Sequence, residues 1–256
     1  MATFAKSTFN AAIYSASRPT YPPRLFDHIF QYYERTNGQM AKNGARRSRA
    51  LDLGCGTGTH VLLNPLHQPT AQTRIAGQAT AHLIPKFSEI ICADPSSNML
   101  RKAQDNLVKP NQSTRFRFVQ CNAEDLRPAI PDTESGSVDL LIAAQACHWF
   151  DWTKVWPEVR RVLSPGGVAA FWVYGEMRLP SYQRSPDSAV GSLIADFWQT
   201  PDRESTTGVG AYFERPGRTV LERLLVDVPP PCEGLGAFER VYFTGTSTPS
   251  YFLAVD

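Results

Sequence analysis

The stretch LDLGCGTGTH, Leu51 to His60, limits the folds open to this chain more than any other. A short apolar run that breaks into closely spaced glycines reads as a strand entering a tight turn. Only glycine lets a backbone turn so sharply and approach a ligand without a Cβ collision. The same rhythm returns downstream. EIICADPS (Glu89 to Ser96) is a second apolar run ending in an acid, followed by SSNMLRKAQDNL with capping residues and a helical period. RFRFVQCNAEDL suits a third strand and SVDLLIAAQACHWF a fourth, while WTKVWPEVRRVLSPGGVAAFWVY reads as a helix, a Ser-Pro-Gly-Gly turn and a fifth strand. Short strands alternating with helices predict an α/β fold built on a doubly wound, mostly parallel sheet. Ligands in such sheets lie beyond the carboxyl ends of the strands, where Gly54, Asp94, Ala123 and Gln145 fall.

Around this core, FDHIFQYY (Phe26 to Tyr33) has apolar residues at helical spacing after Pro22 and Pro23, so residues 1–47 are expected to form a helical cap. Residues 48–175 make the core. Residues 176–256, with Trp198, Tyr212 and Phe213 in a polar background, are expected to supply a lid over a substrate and to complete the sheet. FERVYF (Phe238 to Phe243) reads as a strand there, but its antiparallel partner looks absent or altered, by truncation or by divergence.

The chain has 256 residues, 42% of them hydrophobic and 20% charged, enough for one large domain with appendages. A formal charge of +2 is too small to imply a polyanionic partner, and the run RRSR (Arg46 to Arg49) precedes a strand rather than lying in an aromatic-laced patch. No nucleic-acid partner is expected. The five cysteines are scattered without metal-ligand spacing, as reduced thiols are, and no run reaches the roughly 20 apolar residues of a membrane span. A cytoplasmic protein with no membrane partner and no metal is expected.

The glycines Gly54, Gly56 and Gly58 form GxGxG, whereas a dinucleotide fingerprint is GxGxxG, and Thr59 stands where its third glycine would be. Asp52 would crowd a pyrophosphate but suits a cofactor bearing ammonium and sulfonium groups. Asp94, at a strand end before Pro95, can accept both hydroxyls of a ribose, or it can serve the following helix as an N-terminal acid.

Taken in order, LDLGCGTG, CADPSSNML, CNAEDL, QACHWFD and RVLSPGG resemble the successive motifs of class I S-adenosylmethionine-dependent methyltransferases. YSASRPTYP (Tyr14 to Pro22) and AQACHWF resemble the fungal group that includes trans-aconitate methyltransferase. The resemblance implies S-adenosylmethionine as cofactor and a small molecule of secondary metabolism as substrate. It implies that Asp52, Gly54 and Gly56 hold the methionyl end and Asp94 the ribose, that Ser96 and Met99 flank the adenosine, and that Ala123 and Glu124 border the adenine. Met99 can equally be plain core, and Glu124 a solvated carboxylate.

Gln145, His148, Trp149 and Phe150 follow the fourth strand and are expected at the crevice. His148 could act as general base toward a hydroxyl, or make a structural hydrogen bond. A carboxylate substrate needs no base but does need a positioning cation, for which Arg18 is the candidate, with Tyr14 and Tyr21 beside it. The expected activity is O-methylation of a carboxylate or hydroxyl. The rival readings are a non-catalytic relative and a nicotinamide-dependent oxidoreductase.

One feature disturbs the pattern. Asp52 and Asp94 stand 42 positions apart, against about 20 in units of this kind. Without residues 59–77 the chain would read LDLGCGTGQATAHL, so that segment is expected to be an insertion, as a real loop or as a translated intron.

Overall fold

The computed structural model describes residues 21–36, 49–57, 79–110, 114–175, 216–236, 238–242 and 250–252. Within them run α1 (Pro23–Thr36), β1 (Arg49–Leu53), α2 (Thr80–Leu83), β2 (Glu89–Asp94), α3 (Ser97–Leu107) and β3 (Arg115–Gln120). β4 (Val138–Ala144), α4 (Trp152–Val162), β5 (Leu163–Trp172), α5 (Gly217–Glu222), β6 (Arg240–Tyr242) and β7 (Ser250–Phe252) follow.

Five strands form one sheet in the order β3-β2-β1-β4-β5, all neighbours parallel. This is the doubly wound α/β arrangement expected, with the chain reversing direction across the sheet between β1 and β4. Alternation along the central strands splits the core. Leu51 and Leu141 belong to the layer packed with α4, and Ala50 and Leu140 to the layer packed with α1. Each is fully buried, and side chains of the leucine class contribute about 1.5–3 kcal/mol apiece by leaving water.

The cap helix exists in its described part. α1 buries Leu25, Phe26, Ile29 and Tyr33 at helical spacing, and Phe26 stacks on His82 at 3.6 Å while meeting Trp172 edge-on. On the other face α4 buries Val155, Val159 and Val162. Its Glu158 carboxylate accepts from the backbone N–H of Leu126 at 2.7 Å and pairs with Arg161 at 2.8 Å, which holds that carboxyl below the usual range despite burial.

Pro157 sits inside α4, as the sequence reading had it, and the carbonyl it leaves unpaired belongs to exposed Thr153 and can face water. Two details differ from expectation. The Ser-Pro-Gly-Gly segment is not a separate turn but the start of β5, absorbed by a register shift that follows Val138 paired with Leu163 by Leu140 paired with Val168. The strand expected at Phe238 to Phe243 is β6, and its partner is present as the short β7. The two form an antiparallel sheet of their own rather than extending the large one.

The proposed insertion at 59–77, together with Tyr14, Arg18, Gly58, Trp198, Tyr212 and Phe213, lies outside the described residues. All five cysteines are free. Among the described residues no helix is long and apolar enough to cross a membrane.

Candidate functional site

β1 ends in a turn that glycine makes possible. Gly54 and Gly56 have φ of 68° and 60°, and the N–H groups of Gly54 and Cys55 both donate to the Ala93 carbonyl, at 2.7 and 3.2 Å. A Cβ on Gly54 would strike the Ala146 methyl, so the turn from β1 and the turn from β4 close on each other there. Gly56 faces open space, and its glycine is required by backbone conformation alone.

Asp94 ties this turn to the end of β2. Its Oδ2 accepts from Gly56 N–H at 3.0 Å and its Oδ1 from Ser96 N–H at 2.8 Å. Burial raises its pKa, and the two backbone donors oppose that shift. Ser96 caps α3 by accepting from Met99 N–H at 3.4 Å.

Beneath the turn lies Asp52, 1% exposed. Its Oδ2 accepts from the Thr80 hydroxyl at 2.5 Å, and its Oδ1 is fully buried with no hydrogen-bond partner. Burial pushes its pKa up to about 7, the Thr80 hydroxyl opposing and the Asp94 charge adding. The folded state therefore holds Asp52 protonated over a window in which the unfolded chain has lost that proton. Stability from this group is present at low pH and is lost as pH rises from about 4 to about 7. Thermal unfolding at pH 5 and pH 8 checks the sign: Asp52→Asn is expected to melt several degrees above the natural chain at pH 8, with the gap narrowing at pH 5. A gap that widens at pH 5 would refute it.

Beyond β4, Gln145 holds a φ of 55°, a strained conformation for a side chain of its size. Its N–H donates to the Trp172 carbonyl at 2.9 Å and its Nε2 to the Tyr174 carbonyl at 3.1 Å. That kink leads into the 3-10 turn Cys147–Trp149. His148 is 7% exposed and lies against Trp149 with ring centroids 5.0 Å apart. Trp149 in turn sits so closely on Gly217 of α5 that no Cβ would fit between them.

These turns enclose a cleft of about 100 Å³ at the carboxyl ends of the strands. Of the residues expected from sequence it gathers Gly54, Gly56, Asp94, Met99, Ala123, Glu124 and Gln145, together with His148, Trp149 and Phe150. It leaves Asp52 and Ser96 behind its wall as supports. Glu124 is not simply solvated, because its carboxylate accepts from Asp151 N–H at 3.0 Å at the start of α4. Sequence reasoning missed Cys121, Leu221 and Thr80. Cys121 directly follows β3, a position that could have flagged it, but burial lifts its pKa to about 12 and leaves it a neutral thiol. Leu221 comes from a distant helix with no local signal.

A second, larger cavity of about 1520 Å³ runs along β5, between α1, α4 and residues 218–242. It is the more spacious, yet the positive-φ glycines, the strand-end acid and the kinked Gln145 all converge on the smaller cleft, at the carboxyl ends of the strands where ligands of such sheets lie. The groups that line it suit a nucleoside: a strand-end carboxylate, an apolar Met99 wall and no Cβ in the turn, with the Asp52 carboxyl buried behind them.

Comparison with known proteins agrees. A family model described as a methyltransferase domain matches residues 75–171. A Saccharomyces cerevisiae protein named as a probable S-adenosylmethionine-dependent methyltransferase, CRG1, is 30% identical over 172 residues, covering 67% of this chain and 48% of its own. The human thiol S-methyltransferase TMT1B is 29% identical over 123 residues, 48% of this chain and 41% of its own. A solved structure from Anaeromyxobacter dehalogenans, described under the type II methyltransferases, matches with a TM-score of 0.52 at 27% identity, covering 89% of this chain and 74% of that one. The chain spans about half the length of the curated relatives it matches.

Proposed function

We infer, from a chain that belongs to the class I S-adenosylmethionine-dependent methyltransferases, that it transfers a methyl group to an oxygen of a small molecule, a carboxylate or a hydroxyl. The observation that carries this reading is the joining of the glycine turn to Asp94 through the Gly56 N–H, on the same cleft as Met99, Ala123 and Gln145. When bound, S-adenosylmethionine supplies an electrophilic methyl on a sulfonium, displaced in line by the acceptor with departure of the neutral thioether.

The chain's own part is alignment and exclusion of water. Asp94 would accept ribose hydroxyls on the lone pairs its two backbone bonds leave over. Asp52, neutral when buried alone, would ionise opposite a cation and complement it. Met99 and Ala123 offer apolar walls, Glu124 would border the adenine, and Gln145 turns the chain beyond β4 toward the cleft. A carboxylate acceptor releases no proton. For a hydroxyl acceptor, His148, which lines the cleft, would take the proton. The positioning roles drawn from sequence for Arg18 and Tyr14 rest on residues outside those described. A cleft of about 100 Å³ is smaller than the roughly 300 Å³ such a ligand needs, so the cleft would widen on binding.

Calorimetric titration with S-adenosylmethionine and, separately, with NADH tests the reading. Micromolar binding of the first and none of the second is expected. Binding of NADH alone would revive the oxidoreductase, and binding of neither would favour a non-catalytic relative.

A further inference from the structure

We propose that Asn106, near the end of α3, is a positioning residue of the cofactor site, an assignment that rests on the methyltransferase reading. Its side-chain amide holds the exit of the glycine turn and so presets the part of the cleft that would receive the aminoacyl end of S-adenosylmethionine.

A turn rich in glycine does not set its own course. Without a Cβ, Gly54 and Gly56 have many backbone conformations open to them, and their N–H groups keep one direction only where bonds from outside hold the peptides. The structure supplies such bonds at successive points. The Gly54 and Cys55 N–H groups donate to the Ala93 carbonyl, at 2.7 and 3.2 Å, and the Gly56 N–H donates to Asp94 Oδ2 at 3.0 Å. These ties lead to the end of β2 and hold the entrance and the middle of the turn. The exit is held from elsewhere. Asn106 Nδ2 donates to the Thr57 carbonyl at 2.8 Å, from 49 positions further along the chain. Thr57 is 6% exposed, so water does not readily replace a bond lost there.

α3 is placed to couple this tie to the ligand. Met99, Ala103 and Asn106 follow one another at spacings of four and three, and so share one face of the helix. Met99 lines the cofactor cleft at the start of the helix, Ala103 is fully buried, and Asn106 is half-buried near the end. One rigid element thus carries both the apolar wall of the nucleoside site and the clamp on the glycine turn, and it fixes the distance between them. Asparagine is among the poorer helix formers, so propensity does not account for it inside the last turn. Its amide does, as a neutral donor on a short stem that reaches the neighbouring carbonyl. With the turn held at entrance and exit, the ordering of its glycines is complete before the ligand arrives, which favours affinity.

Calorimetric titration of the full chain with S-adenosylmethionine and with methylthioadenosine, which keeps the nucleoside and lacks the aminoacyl end, tests this. Asn106→Leu keeps the bulk of the side chain, favours the helix and removes the donor. In it S-adenosylmethionine is expected to bind about fivefold more weakly or worse, while methylthioadenosine changes less than about twofold. Asn106→Gln, which retains an amide donor, should recover at least half of the loss. A residue serving stability alone would lower the melting temperature with both affinities intact, or weaken both ligands alike, and either result overturns the proposal. So does an Asn106→Gln as weak as Asn106→Leu. If the natural chain takes up S-adenosylmethionine alone, the recovery in Asn106→Gln decides, and if Asn106→Leu does not fold, Asn106→Ala is read in its place. A natural chain that binds neither ligand sinks the methyltransferase reading and this role with it. Binding by the natural chain with no loss in Asn106→Leu sinks only the role of Asn106.

Discussion

Asp94→Ala is expected to weaken S-adenosylmethionine binding by about 100-fold or more. The carboxylate does two things at once. It receives the N–H groups of Gly56 and Ser96 and so shapes the turn, and it faces the cleft where its remaining lone pairs can take ribose hydroxyls. Hydrogen bonds to a charged acceptor are worth about 1.5–3 kcal/mol each, so losing two costs roughly 3–6 kcal/mol of cofactor affinity. The fold itself is expected to suffer less. Burial already makes ionised Asp94 costly, so removing it relieves one penalty while leaving two backbone donors without their acceptor. Asp94→Asn separates the roles. It keeps one acceptor oxygen but turns the other position into a donor facing an N–H, and should bind between the two. Calorimetry on all three proteins, beside their thermal melts, checks this. Affinity in Asp94→Ala within threefold of the natural chain would remove Asp94 from the cofactor site.

The residues legible in the sequence are those whose chemistry is local. Gly54 and Asp94 each announce themselves by a strand end followed by a turn or a capped helix, and the repeated unit then fixes the parallel sheet and the side on which its ligand lies. Asp52 was legible as unusual but not as buried and protonated, because that depends on Thr80, which lies across the interrupted segment, and on a layer of core packed below the turn. Leu221, Trp149 on Gly217 and the large cavity beside β5 depend on contacts between stretches far apart in the chain, and no periodicity records those. The Ser-Pro-Gly-Gly segment misled because proline and glycine are turn residues, whereas a bulge in an edge strand needs the same freedom. The split of β6 and β7 from the large sheet could not be read either, since strand pairing is chosen by partners and not by the strand alone.

Deleting residues 59–77, which joins Gly58 to Gln78, is expected to tighten S-adenosylmethionine binding about tenfold or more and to raise the melting temperature. The described flanks of that segment already serve one site. Gly56 donates to Asp94, the Thr57 carbonyl accepts from Asn106 Nδ2 at 2.8 Å, and Thr80 donates to Asp52. What the site lacks is a direct connection, because α2, the helix that begins at Thr80, is only four residues long. In doubly wound sheets the helix after the glycine turn presents its first N–H groups to the ligand. A helix of one turn, separated from its glycines, does this poorly. Closing a connection of about 20 residues costs on the order of 2–3 kcal/mol of chain entropy, and a direct join avoids most of it. Part of that gain appears as fold stability and part as affinity, since the turn must be ordered for the cofactor to bind. The measurement is paired calorimetry and thermal melts of the full and deleted chains. A deleted chain that binds no tighter, or that fails to fold, would show that 59–77 is part of the working site, and sequencing the mature transcript would then be expected to find every one of its codons.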